Sequence, residues 1–203
     1  MILAEPSSLI FCSPIAAVNV RRSEDEHLTR QQMCILGKAS LGFNVVGVRL
    51  CPENERHIVV WGASQAFVLV LKTDYSAVED TINLVFELDD QDGDGDVLVN
   101  CEWLPKSQTH VAMAISRYVR LFDVCRFEMS GNTKRAHPVS GYNLGFEASL
   151  RDLSIVPQKD YLSDDDAAGS LCRYRTEHIS KMFLLLENGR LHSLDIKIGR
   201  AHV

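Results

Sequence analysis

What this 203-residue chain lacks narrows its function before any motif is read. It has no basic cluster: 21 Lys plus Arg stand against 27 Asp plus Glu, a formal net charge of −6. Nucleic-acid binding draws its affinity from counterions released by clustered Lys and Arg, so that class of partner is not expected. No apolar run approaches the ~20 residues needed to cross a bilayer, so no membrane span is expected. A basic start followed by an apolar core and a small-residue cleavage site is also missing, which argues against a secretory leader and for a cytoplasmic protein. The six cysteines (Cys12, Cys34, Cys51, Cys101, Cys125, Cys172) form no C-x-x-C pair. A zinc finger or RING-type site is therefore not expected, and the thiols read as reduced and mostly buried. There is no G-x-S-x-G nucleophile turn and no G-x-x-x-x-G-K-[ST] phosphate loop. Gly93 and Gly95 supply only the first half of a G-x-G-x-x-G pattern. No catalytic residue, cofactor-binding residue or resident cofactor is assigned to the chain.

What is present is a repeat. NVVGVRLCP (44–52), HIVVWG (57–62) and AFVLVLK (66–72) are followed by VLVNCEWLP (97–105), HVAMAI (110–115) and YVRLFDV (118–124). SLRDLSIVP (149–157), KMFLLL (181–186) and GRLHSLDIK (189–197) form the third set. Pro52, Pro105 and Pro157 close the first segment of each set, at intervals of 53 and 52 residues. A period near fifty falls in the range of propeller blades. The runs FVLVL, VAMAI and MFLLL are short, apolar and bounded by turn residues, and read as strands. Their poor alternation fits strands covered on both faces by neighbouring sheets. Asn188-Gly189 reads as a type I′ hairpin turn. Fourth, outer strands are expected at INLVFEL (82–88) and around Ser140–Phe146, and QQMCILGKA (31–39) is expected as the outer strand of an earlier partial unit, with a helix over His27–Cys34 as the competing assignment. The expected fold is all-β, an incomplete WD40-like β-propeller fragment of about three to four blades. Residues 1–40 form a partial blade or lead-in strands, 41–96 and 97–148 form blades, and 149–197 form a blade with an acidic insertion. Ile198–Val203 matches one reading frame of a common sequencing adapter and is set aside. Propellers typically need 4–8 blades to protect their edges, so the chain reads as a piece of a larger one.

Other residues carry chemistry that a site could use. Asp90-Gln91-Asp92-Gly93-Asp94-Gly95-Asp96 satisfies D-x-D-x-D-G, but loop position twelve is Cys101, with Glu102 one residue late for an EF-hand. Its flanks read as strands, so an acidic solvated hairpin loop is expected, with calcium ligation by Asp90, Asp92, Asp94 and Asp96 as the alternative. His57 and His110 hold equivalent repeat positions and read as surface or turn residues, since no acid or Cys recurs in phase to complete a metal site. Trp61, Trp103, Phe67, Phe122 and Phe183 read as sheet core. Arg49, Arg117, Arg120 and Arg190 read as solvated strand ends able to reach a partner face. The insertion Ser163–Ser170 reads as a polar surface loop.

Val97–Val124 carries a resemblance. Glu102-Trp103-Leu104-Pro105-Lys106-Ser107-Gln108-Thr109 followed by Tyr118-Val119-Arg120-Leu121-Phe122-Asp123-Val124 resembles the WD40-like propeller region of the calossin family, called purity-of-essence in flies and BIG in plants. Gly42-Phe43-Asn44-Val45-Val46 and Val60-Trp61-Gly62 look like further counterparts, and the resemblance covers roughly residues 25–196. These are giant N-recognin-type (UBR-type) E3 ubiquitin ligases of the N-degron pathway. In such a parent, zinc-bound modules recognise the degron and transfer ubiquitin. Neither module's Cys/His pattern occurs here, so the resemblance implies a scaffold or protein-binding role in ubiquitin-dependent protein degradation, with other domains of the same large chain as expected partners. Zinc is expected only in parent modules outside the chain. The alternatives are a WD40-type adaptor without ligase activity and a calcium-binding β-propeller.

Overall fold

The computed structural model describes residues 2–14, 33–87, 96–143, 145, 148–157 and 178–198. Among them every regular element is a strand: β1 (Ile2–Glu5), β2 (Ser8–Pro14), β3 (Met33–Ser40), β4 (Gly47–Cys51), β5 (Asn54–Trp61), β6 (Ala66–Leu71) and β7 (Val78–Leu84). They are followed by β8 (Leu98–Trp103), β9 (His110–Ile115), β10 (Tyr118–Ser130), β11 (Thr133–Asn143), β12 (Leu150–Pro157), β13 (His178–Leu186) and β14 (Leu191–Ile198). β1–β2–β3 and β12–β13–β14 are three-stranded antiparallel sheets. Between them lies an eight-stranded sheet of order β4-β5-β6-β7-β11-β10-β9-β8. It consists of two antiparallel four-stranded halves, joined where β11 runs parallel to β7 with Lys134, Arg135 and Ala136 opposite Ile82, Asn83 and Leu84.

The halves face each other across a core, because consecutive residues of one strand serve opposite cores. On β5, Ile58 and Val60 pack with Leu9 and Phe11 of β2. Val59 and Trp61 point the other way, into the cluster with Val111, Met113, Ile115 and Phe122. On β9 the remaining Ala112 and Ala114 face Met182, Leu184 and Leu186 of β13. These strands are apolar on both faces because both faces are covered, as their sequence suggests.

One main-chain bond repeats along the stack. Leu98 N–H donates to the Ala63 carbonyl, and Leu150 N–H donates to the Ser116 carbonyl. The first bond ties the start of β8 to the turn after β5, joining the two halves of the eight-stranded sheet; the second ties the start of β12 to the turn after β9, joining that sheet to the next.

Several boundaries differ from those expected. The outer strand is β7 at Val78–Leu84, not 82–88: its polar Val78-Glu79-Asp80-Thr81 start pairs with β6, which asks only for main-chain groups. β11 spans Thr133–Asn143 instead of starting near Ser140, because β10 runs on to Ser130 and turns at Gly131, whose φ of 61° suits glycine. Met33 and Cys34 belong to β3, while 27–32 lie outside the described residues. The β13–β14 hairpin exists, but its turn is not type I′. Only Gly189 has positive φ (81°), and its N–H donates to the Leu186 carbonyl. That is a type I-like turn closed by a left-handed glycine, with Arg190 N–H donating to Asn188 Oδ1 at 3.0 Å. Ile198 ends β14 opposite His178, and 199–203 lie outside the described residues.

Candidate functional site

Four of the residues singled out in the sequence, Arg49, His57, Trp61 and Trp103, meet at the seam between the halves of the eight-stranded sheet. Trp103 Nε1 donates to the Arg49 carbonyl at 3.2 Å. The Arg49 guanidinium donates to Glu102 Oε2 at 3.1 Å and lies 5.9 Å from the Trp61 ring centroid. The His57 ring stacks on Trp103 at 6.2 Å, with Nδ1 3.2 Å from the Gln108 carbonyl. The Lys134 ammonium pairs with Asp80 along the outer edge. At the next seam, Asn100 Nδ2 donates to Asp152 Oδ1 at 2.7 Å and to the Leu153 carbonyl at 3.1 Å. Partners in the hydrogen bonds and the ion pair among these contacts lie 51 to 54 residues apart in sequence, one repeat.

The stretch from Trp103 to His110 builds a lock at this seam. Leu104 is fully buried, and Ser107 N–H donates to its carbonyl at 3.2 Å. Pro105 takes the second position of that turn and Lys106 the third, at φ 60°, the arrangement of a type II turn. Ser107 Oγ accepts the N–H groups of Thr109 (3.2 Å) and His110 (3.1 Å) and lies 2.9 Å from His110 Nδ1. Asp123 stands opposite His110 in the β9–β10 register.

The grouping of Ser107, His110 and Asp123 invites comparison with a nucleophilic triad, but its bonds describe a different job. Ser107 Oγ already closes a turn, and the Asp123 carboxylate accepts Cys125 N–H at 3.1 Å and pairs with Arg126 at 3.2 Å. A triad needs its acid to orient the histidine. Burial chiefly holds the His110 ring below its ordinary value. Burial likewise pushes the Cys51 thiol up and the Cys101 thiol well up, away from the reactive thiolate. No group of three or more His, Cys, Asp or Glu among the described residues is placed to hold a metal ion.

Of the acidic loop, Asp90, Asp92 and Asp94 lie outside the described residues, and Asp96 precedes β8. The flanking elements are strands β7 and β8. Phe122 is fully buried, and Trp61 and Trp103 are nearly so, as expected of core, whereas Phe67 and Phe183 are half-buried. Arg117 and Arg190 are exposed strand-end residues. Arg120 lies 5.2 Å from the Tyr118 ring and packs over Gly141. Sequence reasoning missed Asn100, Asp123 and the turn role of Ser107. The recurring separation of one repeat was the signal that could have paired Asn100 with Asp152. No helix among the described residues is long and apolar enough to cross a membrane.

No family model matches the chain. Over 122 residues, 60% of the chain, it is 25% identical to a probable E3 ubiquitin-protein ligase of Dictyostelium discoideum. The matched region is 2% of that protein's length.

Proposed function

We propose that the chain is a non-catalytic propeller scaffold, a protein-interaction segment of a calossin-type E3 ubiquitin ligase acting in the N-degron pathway in the cytoplasm. The observation that carries the scaffold reading is the seam bond that recurs one repeat later, from Leu98–Ala63 to Leu150–Ser116, between successive strand groups whose shared faces are buried. In this reading the sheets are blades of a propeller, with boundaries near 41–96, 97–148 and 149–197. The likeness to the Dictyostelium ligase supports a ubiquitin-related parent. The engaged side chains of the Ser107–His110–Asp123 lock support a structural role. Other domains of the parent are its proposed partners, and zinc is confined to those domains.

The test uses the full-length parent with residues 41–196 deleted. Discharge of ubiquitin from a charged E2 enzyme is expected to persist, while ubiquitination of an N-degron substrate and retention of partner proteins fall. Unchanged substrate ubiquitination and an unchanged partner set would overturn the scaffold reading. Discharge of the charged E2 by the 203-residue chain alone would overturn its non-catalytic character.

A further inference from the structure

The recurring seam bond has a third copy, and it sets the first sheet in register with the others. Val45 N–H donates to the Pro6 carbonyl at 2.7 Å, as Leu98 does to Ala63 and Leu150 to Ser116. Val45, Leu98 and Leu150 stand seven residues before Pro52, Pro105 and Pro157. Pro6 lies in the turn between β1 and β2, as Ser116 lies between β9 and β10. β1 therefore holds the second place in its sheet, the place of β5 and β9. β5, β9 and β13 each pair on their inner side with a first strand, β4, β8 or β12. Among the described residues β1 pairs with β2 alone.

The neighbouring sheet shows the same gap in its burial. Leu50, Trp103 and Ile155 hold one place, two residues before their prolines. Trp103 is 3% exposed and Ile155 9%, each covered from the side of the preceding first strand, and Trp103 Nε1 reaches the Arg49 carbonyl there. Leu50 is 50% exposed. Val48, on the same face of β4, packs with Ile2 at the border of the first core but is only half-buried, whereas its counterparts Cys101 and Leu153 are buried. Two-residue turns close both hairpins, so the pair Ala4–Leu9 corresponds to Ala114–Val119. Ala114 is fully buried and Ala4 is exposed. The main-chain phase agrees. Glu5–Ser8 is the hydrogen-bonded pair beside the turn and Leu3–Ile10 follows with no register shift, so the N–H and C=O groups of Ile2 and Ala4 face away from β2. Their counterparts Ala112 and Ala114 stand opposite Glu102 and Asn100 of β8. β14 also lacks a fourth strand among the described residues; β1 is singled out because the side chains of the next sheet are uncovered at the same place.

We propose that the first sheet accepts a strand from the parent polypeptide: an extended segment from outside these 203 residues pairs antiparallel with the bare side of β1 and covers Val48 and Leu50 of β4. Main-chain bonds to Ile2 and Ala4 hold it, the mode of strand addition to a sheet edge. Its side chains follow the pattern of β4 and β8. Cys51 and Leu104, the residues just before the prolines, share cores with Trp103 and Ile155 of the following strands, so the incoming strand carries an apolar residue at that place to meet Leu50. The parent is the source because the other three first strands each belong to the same polypeptide as the second strand they pair with. The inference rests on the propeller reading of the sheets and does not need the ligase assignment.

The test has two arms. In the first, the 203-residue chain is titrated into a fluorescein-labelled peptide with the sequence of its own first strand, Val97–Pro105 carrying Cys101→Ser, and anisotropy is read. Saturable binding is expected, with a scrambled peptide of the same composition bound at least tenfold more weakly. Ala4→Pro removes a donor from the bare side only, and Leu50→Asp sets a charge on the uncovered apolar place. Each is expected to weaken binding at least tenfold with an unchanged circular dichroism spectrum. No binding, equal binding of the scrambled peptide, or binding that both variants leave intact overturns the proposal, the last by placing the peptide elsewhere, such as on the outer edge of β14. In the second arm, a photo-crosslinking amino acid replaces Leu50 in the full-length parent, and mass spectrometry maps the product. A crosslink to an extended segment of the same polypeptide outside these residues is expected. A crosslink to a separate protein, to a second copy or within the 203 residues, or no crosslink at all, overturns it. Neither arm reads ubiquitin transfer, so the strand site and the scaffold function stand or fall separately.

Discussion

β9 and β13 have the same place in their sheets and similar apolar sequences, yet they are buried differently. On β9, Val111 through Ile115 are all buried, alternately against β5 on one side and β13 on the other. On β13, Met182, Leu184 and Leu186 are buried, while Lys181, Phe183 and Leu185 on the opposite face are only half-buried. An apolar run without alternation is therefore a request for two neighbouring sheets. β9 has both; β13 has one among the described residues. The depth of a side chain is set by the stack, and the strand supplies only the pattern. Truncating one aromatic on each side should expose the difference. Phe122→Ala, in the fully covered core, is expected to cost about 3–5 kcal/mol. Phe183→Ala is expected to cost less, about 1–2 kcal/mol, since its face of β13 is only partly covered among the described residues. Denaturant unfolding of the full chain measures both, and equal losses would break the comparison.

A second contrast lies in how tightly the middle is closed. A Cβ added at Gly47 would lie 2.1 Å from the Trp61 ring, itself wedged in the core between the two halves. Gly47→Ala is expected to destabilise by about 1–3 kcal/mol through overpacking. Gly42 has nothing within 4 Å of such a Cβ, so Gly42→Ala should leave the melting temperature nearly unchanged. A tolerated Gly47→Ala would mean that the seam yields more than its packing implies.

Most of the repeat was legible because it is written in apolar runs and punctuation. HVAMAI coincides with β9, and Pro52 and Pro105 fall just past β4 and β8. Outer strands were harder. β7 begins with Val78-Glu79-Asp80-Thr81, a stretch whose strand state comes from pairing with β6 and not from its own composition. The extension of β10 through Cys125–Ser130 was hidden for the same reason, since exposed residues on a hairpin arm carry no periodic burial signal. The seam was legible only in part. Trp103 and His57 could be flagged by type, but which atoms they meet depends on the offset between adjacent sheets. Asn100 drew no notice because a polar residue in a short strand looks like a solvated one until Asp152 is brought beside it.

Asn100 makes the same comparison in polar terms. It is 5% exposed, and its Nδ2 ties β8 to β12 through Asp152 and the Leu153 carbonyl. Asn100→Ala leaves the buried Leu153 carbonyl short of a donor and is expected to cost about 1–2 kcal/mol. Asn100→Asp should be worse, because it sets a second carboxylate against Asp152. If both variants unfold at the same denaturant concentration as the wild type, the polar tie contributes nothing and the seam is held by its apolar face alone.

The smallest expected effect is a dependence on pH. Burial lowers the affinity of His110 for a proton below its ordinary value of 6.5; Asp123 opposes this and Arg126 adds to it. The unfolded chain therefore binds that proton more readily than the folded one. Above pH 6.5 both states hold the ring neutral, and its contribution to stability is whole. As the pH falls through 6.5 toward the depressed folded value, the unfolded state is protonated first and stability declines; below that value the loss is complete. Glu5, held down chiefly by Lys38, and Asp74, held down by Ser76, act in a lower window, beneath their ordinary 4.5 and 3.8. His110→Gln should thus start less stable at pH 8, having lost its bond to Ser107, but lose less on going from pH 7 to pH 5. Unfolding midpoints at pH 8, 7, 6 and 5 give the two slopes. Parallel slopes would show that the lock at Ser107 and His110 is too open to water to feel its burial, placing that corner with the exposed rim and not with the covered core.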